Sequence, residues 1–185
     1  MTRLSFVAVL ALAAACASPT APSDTGSTSV TTPSSPLPAT AAATNPSFEQ
    51  QVLTLVNHER ATGATCGGTP YPPAAPLSMD ASLRKAARDH SIDMALDNYF
   101  SHIGLDGRSF SDRIRDAGYT GSAPLGENIA AGQVSSQSVV DGWMASVTHC
   151  ENIMQADFQD LGVGYALRSG SRYRHYWSQS FGGGN

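Results

Sequence analysis

The sequence predicts an α+β fold in which helices pack on both faces of a small sheet. Two observations carry this expectation. Apolar residues recur at helical spacing in several segments between Phe48 and Val147, with capping and stop residues around them. From Leu161 to Phe181 the apolar period drops to two, as in paired strands. Helices therefore come first and an antiparallel hairpin last. The 185-residue length suits one domain with chain to spare.

The spare chain lies at the start. Arg3 precedes an apolar run from Leu4 to Ala15, broken only by Ser5, which has the length of a signal peptide. It is too short to span a bilayer. Ala13-Ala14-Ala15 leads into Cys16, a pattern similar to a bacterial lipobox, in which the cysteine becomes the lipidated first residue. Ala13 holds the position where a lipobox usually has leucine, so an ordinary signal peptide cut after Ala17 is the alternative. Either reading exports the chain, to the cell envelope as a membrane-anchored lipoprotein or as a secreted protein. Residues 17–45 are almost all Ser, Thr, Ala and Pro, with Asp24 their one charge. Such a segment cannot bury enough apolar surface to offset its ordering entropy, and it reads as a disordered linker.

The folded domain is expected over residues 46–185. Asn45 caps a helix with Pro46 at its first position. Phe48, Val52, Leu55, Val56 and Glu59 follow at helical spacing, and Gly63 ends the run. A Gly/Pro-rich loop carries Cys66 to about Ser78. Asp80 caps a second helix reaching Asn98, with Leu83, Ala87, His90 and Met94 inward. A short helix starts near Ser109 or Ser111, shows Phe110, Ile114 and Ala117, and stops at Gly118. A further helix is expected from Ser136 to Val147. Ile129 to Ala131 is a candidate short strand. Leu161, Val163, Tyr165 and Leu167 alternate before the turn Ser169-Gly170-Ser171, and Tyr173, His175, Trp177, Gln179 and Phe181 alternate after it.

Charge excludes one class of partner. The net charge of −4 and the single lysine, Lys85, give no basic surplus for a phosphate backbone, so no nucleic-acid partner is expected. Cysteine usage points the same way as the leader. If Cys16 takes lipid, Cys66 and Cys150 remain in an oxidising compartment, and pairing them leaves no odd thiol. A catalytic cysteine is the competing reading.

Five histidines are candidates for chemistry. His58 reads as a surface residue, and His90 and His175 as packed residues within a helix and a strand. His102 and His149 each follow a helical segment, where a side chain can face a cleft. Glu127, flanked by Gly126 and Asn128 beside apolar residues, reads as a partly buried carboxylate. Two imidazoles and a carboxylate suit zinc or another divalent metal, and equally an acid–base pair. No zinc-protease helix, nucleophile elbow or phosphate loop accompanies them.

Longer strings carry a family resemblance. Gly126-Glu127-Asn128-Ile129-Ala130, Trp143-Met144-Ala145-Ser146 leading to His149, and Asn152-Ile153-Met154 resemble the CAP superfamily of cysteine-rich secretory, antigen-5 and pathogenesis-related-1 proteins, in its bacterial SCP-like branch. Tyr99-Phe100-Ser101-His102, Leu161-Gly162-Val163-Gly164, Tyr176-Trp177-Ser178-Gln179-Ser180-Phe181 and the first-helix residues Asn57, Glu59 and Arg60 fit the same pattern in the same order. The resemblance spans about Phe48 to Gly182. It implies a three-layer α-β-α sandwich with a small, mainly antiparallel central sheet and a central cleft. Carried over by motif, His102, Glu127 and His149 would line that cleft and hold a divalent metal. The second acid of the family pattern falls on Ser146, which removes one anionic ligand. Cys150 stands where bacterial relatives often have arginine, which suits a bond to Cys66. The functional expectation is a binding module whose cleft takes a small ligand, a lipid or a surface protein. The alternative is a metal-assisted hydrolase of peptides or cell-wall material, with Glu127 as third ligand or base. A structural role without a cleft ligand is the third reading.

Overall fold

A computed structural model describes residues 42–184 of the chain. The leader, Cys16 and most of the linker lie outside the described residues. The order of elements is α1 (Pro46–Thr62), β1 (Ala64–Cys66), β2 (Thr69–Tyr71), β3 (Ser78–Met79), α2 (Ala81–Asp97), α3 (Phe110–Asp116), β4 (Leu125–Ala131), α4 (Ser136–Met144), α5 (Val147–Met154), β5 (Asp160–Leu167) and β6 (His175–Gly182). Ahead of α1, Ala43 exchanges two backbone hydrogen bonds with Leu167, so the chain is tied to the sheet from there onward.

The first two helices start and stop as their caps dictate. The Asn45 side chain accepts from the Ser47 and Phe48 amides, and Gly63, with φ of 79°, closes the C-terminus. Asp80 accepts from the Leu83 amide, and Asn98 ends α2 in the left-handed region. The main sheet has the order β3-β5-β6-β4. All its pairings are antiparallel except the short parallel contact of β3 with β5.

Helices cover both faces of this sheet. On one face α1, α4 and α5 pack around Leu161, Val163, Tyr165, Trp177 and Phe181. On the other α2 and α3 pack against Ile129, Ala166 and Tyr176, beside a cluster around Leu83 and Ile114. The architecture is a three-layer α-β-α sandwich. The alternation of large with small residues in β5 and β6 does not divide core from solvent, because both faces are buried. The small residues let a helix come close. A methyl group at Gly162 would collide with the backbone of Leu83 and Arg84, and one at Gly164 with that of Ala87 and Arg88.

Three segments differ from the sequence expectation. The loop after α1 contains a two-stranded ribbon, β1–β2. The short strand expected from Ile129 begins at Leu125, which places Glu127 within the sheet. The helix expected from Ser136 to Val147 is two helices. Ser146 is extended and caps α5, whose buried stripe of Cys150, Ile153 and Met154 is separate from the Val139, Val140 and Trp143 stripe of α4.

Buried polar residues fix the connections. Asn57 bonds both the amide and the carbonyl of Leu77 at 2.8 and 2.9 Å. The fully buried Arg60 donates to the carbonyls of Ala75, Ile153, Gln155 and Phe158, which clamps the end of α5 to α1. Cys66 and Cys150 are bonded, with Cα atoms 5.6 Å apart, and join the ribbon to α5.

Candidate functional site

The site is built around Glu127 on β4. Side chains alternate across a strand, so Glu127 and Ile129 face α2 and α3 while Gly126 and Asn128 face α5. The Glu127 side chain is 2% exposed, and both of its oxygens are engaged. His102 Nδ1 lies 2.8 Å from Oε1, and Arg113 Nη2 lies 2.7 Å from Oε2. The Arg113 side chain is buried as well, so the ion pair satisfies two charges removed from water.

His102 sits in the segment between α2 and α3, and its backbone is held on both sides. His90 Nε2 donates to the Ser101 carbonyl at 3.0 Å, and Arg113 Nη2 donates to the His102 carbonyl at 3.0 Å. With Nδ1 directed at the carboxylate, Nε2 is the remaining polar atom of a half-exposed ring. Glu127 is thus sealed behind the more exposed His102 ring.

His149 lies in the first turn of α5, not beyond a helix end, and is half-buried. Its carbonyl accepts from Asn128 Nδ2 at 3.1 Å. Burial, and then the nearby charge of His102, push its imidazole below the ordinary histidine range. The two imidazoles therefore sense each other. Ser146, at the entry to α5, is half-buried and makes no capping hydrogen bond with its side chain. The structure thus joins His102 to Glu127 directly and brings His149 into electrostatic range of His102.

The remaining candidates fall elsewhere. His58 is exposed, and His175 Nδ1 is 2.8 Å from the Tyr165 hydroxyl. Cys150 is in the disulfide and is no nucleophile. Sequence reasoning assigns Arg113 no role. Its signal is its place on α3, three residues after Phe110 and beside Ile114, where a charged residue enters the inward stripe and needs a buried partner. Asn152 and Asn128 form a second tier, with Asn152 Nδ2 donating to Asn128 Oδ1 at 2.8 Å and to the Glu127 carbonyl at 3.3 Å.

The donor set does not fit a three-ligand metal centre. Both Glu127 oxygens are already engaged, one by the Arg113 guanidinium and one by the His102 imidazole. Among the described residues no three His, Cys, Asp or Glu side chains are grouped to hold a metal ion. The imidazoles of His102 and His149 remain as the other candidate groups. In the sequence, exposed Phe100, Ile103 and Leu105 stand around His102, and exposed Val147 lies two residues before His149.

Comparison with known proteins agrees with this architecture. The model of the cysteine-rich secretory protein family, CAP, matches residues 53–181. An uncharacterized Bacillus subtilis protein, YkwD, is 37% identical over 153 residues, which cover 78% of this chain and 54% of that protein. The uncharacterized membrane protein YlbC of the same organism is 32% identical over 133 residues, covering 72% of this chain and 34% of its own. The chain thus spans about half of the first relative and a third of the second. The crystal structure of an extracellular SCP-domain protein from Bacillus anthracis superposes with a TM-score of 0.61 at 29% identity, over 74% of this chain and 40% of that one. An outer surface protein of Borrelia burgdorferi gives a TM-score of 0.59 at 18% identity, over 78% of this chain and 99% of that one. The sequence match, the layered fold and the placement of the motif residues agree, and the chain belongs to the CAP family of cysteine-rich secretory proteins.

Proposed function

We propose that this chain is an exported CAP module, tethered by lipid on Cys16, that binds a small amphiphilic ligand at His102 and His149. The observation that carries the reading is the half-exposed His102 ring, locked from behind by Glu127 and Arg113 and flanked by exposed Phe100, Ile103 and Leu105. A fixed imidazole supplies one directional polar contact, and the apolar rim supplies area removed from water, the combination common to ligand sites. Ser146 contributes a hydroxyl free of capping duty. Metal-assisted hydrolysis is less well supported, because Glu127 would have to leave Arg113 to bind a metal or activate water. Export is supported by the leader pattern, by the disulfide, and by the extracellular and outer-surface descriptions of similar structures.

Octyl glucoside below its micelle concentration serves as an amphiphilic probe. Its titration should shift the ring signals of His102 and His149 together and saturably. Leu105→Asp should abolish the shift while leaving the fold intact. Unmoved ring signals in the folded protein would overturn the binding reading. A parallel zinc titration by calorimetry should show only weak binding, lost in the His102→Ala/His149→Ala variant. Cys16→Ser should move the chain from the membrane fraction to the soluble one, and an unchanged distribution would remove the lipid tether.

A further inference from the structure

A charged cluster lies at the opposite margin of the sheet, beside β3 and β5. There Glu49, on the first turn of α1, reaches across from one helical layer to Arg84 and Arg88 on the other. The Glu49 side chain is fully buried, while the two arginines are about one-third exposed. Arg84 donates Nε and Nη2 to Oε2 at 2.9 and 2.6 Å. Arg88 donates Nε to Oε1 at 2.8 Å and Nη2 to Oε2 at 2.6 Å. Neither Nη1 has a hydrogen-bond partner among the described residues.

The charge arithmetic is uneven. One guanidinium is enough to neutralise one buried carboxylate, and here there are two. The third cation, Lys85, is balanced by Asp89. The cluster keeps one net positive charge in a chain whose overall charge is −4. It lines a groove of about 510 Å³ bounded by Met79, Ala81, Arg84, Lys85, Arg88 and Asp89. The two guanidiniums are already immobilised by Glu49, so an incoming anion does not have to order them. Three cationic heads on adjacent turns of one helix suit an anion with several oxygens better than a lone carboxylate.

We infer that this groove binds a phosphate group, with the unpartnered Nη1 groups of Arg84 and Arg88 as two fixed donors and Lys85 as a movable third donor. Its source is a soluble phosphoester or a phospholipid headgroup, which share the same chemistry. The site is independent of the ligand reading at His102.

The test is phosphate binding by the full chain. Calorimetry with inorganic phosphate in low-salt buffer should show saturable binding that weakens as ionic strength rises. Arg84→Lys keeps the charge but cannot hold Glu49 and still offer a separate Nη1 donor, and should weaken binding about tenfold. Lys85→Ala, which does not touch Glu49, should weaken it by a few fold. Glu49→Gln removes the opposing charge and should tighten binding in any variant that remains folded by circular dichroism. Co-sedimentation then separates the sources. Greater binding to phosphatidylglycerol than to phosphatidylcholine vesicles, lost in Arg84→Lys, assigns the headgroup. Equal vesicle binding alongside calorimetric binding assigns the soluble phosphoester. An absence of phosphate binding, or wild-type affinity in both folded Arg84→Lys and Lys85→Ala, would overturn the proposal.

Discussion

His90 shows how one buried side chain couples the site to acidity. It has no exposed surface, and burial pushes its imidazole down to about 4 from 6.5. Its Nε2–H holds the Ser101 carbonyl, and hence the segment bearing His102, while Nδ1 has no partner. The unfolded chain takes up a proton near pH 6.5, and the folded chain resists until about pH 4. The stability held by the neutral ring is therefore complete above pH 6.5 and is lost as pH falls towards 4, in total about 3 kcal/mol. His149 and His175, shifted in the same direction, add to the loss. Urea unfolding at pH 7.5 and 4.5 should show this fall, and His90→Gln, which retains an N–H donor for Ser101, should reduce it. Equal pH dependence in both proteins would contradict the assignment. At this scale the sequence marked His102, Glu127 and His149 through motif and context. It could not show that Glu127 is spent on Arg113, because nothing in one dimension pairs a strand carboxylate with a helix guanidinium fourteen residues away.

At the scale of elements, Gly162 and Gly164 set the depth at which α2 lies on β5. A Cβ at Gly162 meets helix backbone, which cannot rotate aside as a side chain can. Gly162→Ala should therefore cost about 3 kcal/mol or more by overpacking, read as a fall in the denaturation midpoint. Gly170→Ala is the control, since nothing lies near its added methyl group. The caps and periodicities of α1 and α2 were legible in the sequence because they are local. The break between α4 and α5 was not, because Val147 continues a helical apolar pattern although it is exposed in the structure. The β1–β2 ribbon was hidden for a similar reason, since its short strands gain their place from the bond to α5.

At the scale of the molecule, the disulfide closes a span of 84 residues that links the segment after α1 to the helix carrying His149. Loop-closure entropy gives it about 3–5 kcal/mol. Cys66→Ala/Cys150→Ala should lower the melting temperature by roughly 10–15 °C, and thermal scans of the oxidised protein and the variant would check this. A change of only a degree or two would show that packing alone holds α5.

The ion-paired cluster around Glu49 has one more effect. A β-sheet with a bare border offers its unpaired backbone groups to any other chain, and this is how many proteins begin to aggregate. Here one border carries Glu127 with Arg113, and beyond the two residues of β3 the other is crossed by Glu49 with Arg84 and Arg88. At the second border Arg84 and Arg88 remain partly exposed, and an approaching strand would have to desolvate them. The two arginines thereby guard that border against polymerisation through the sheet.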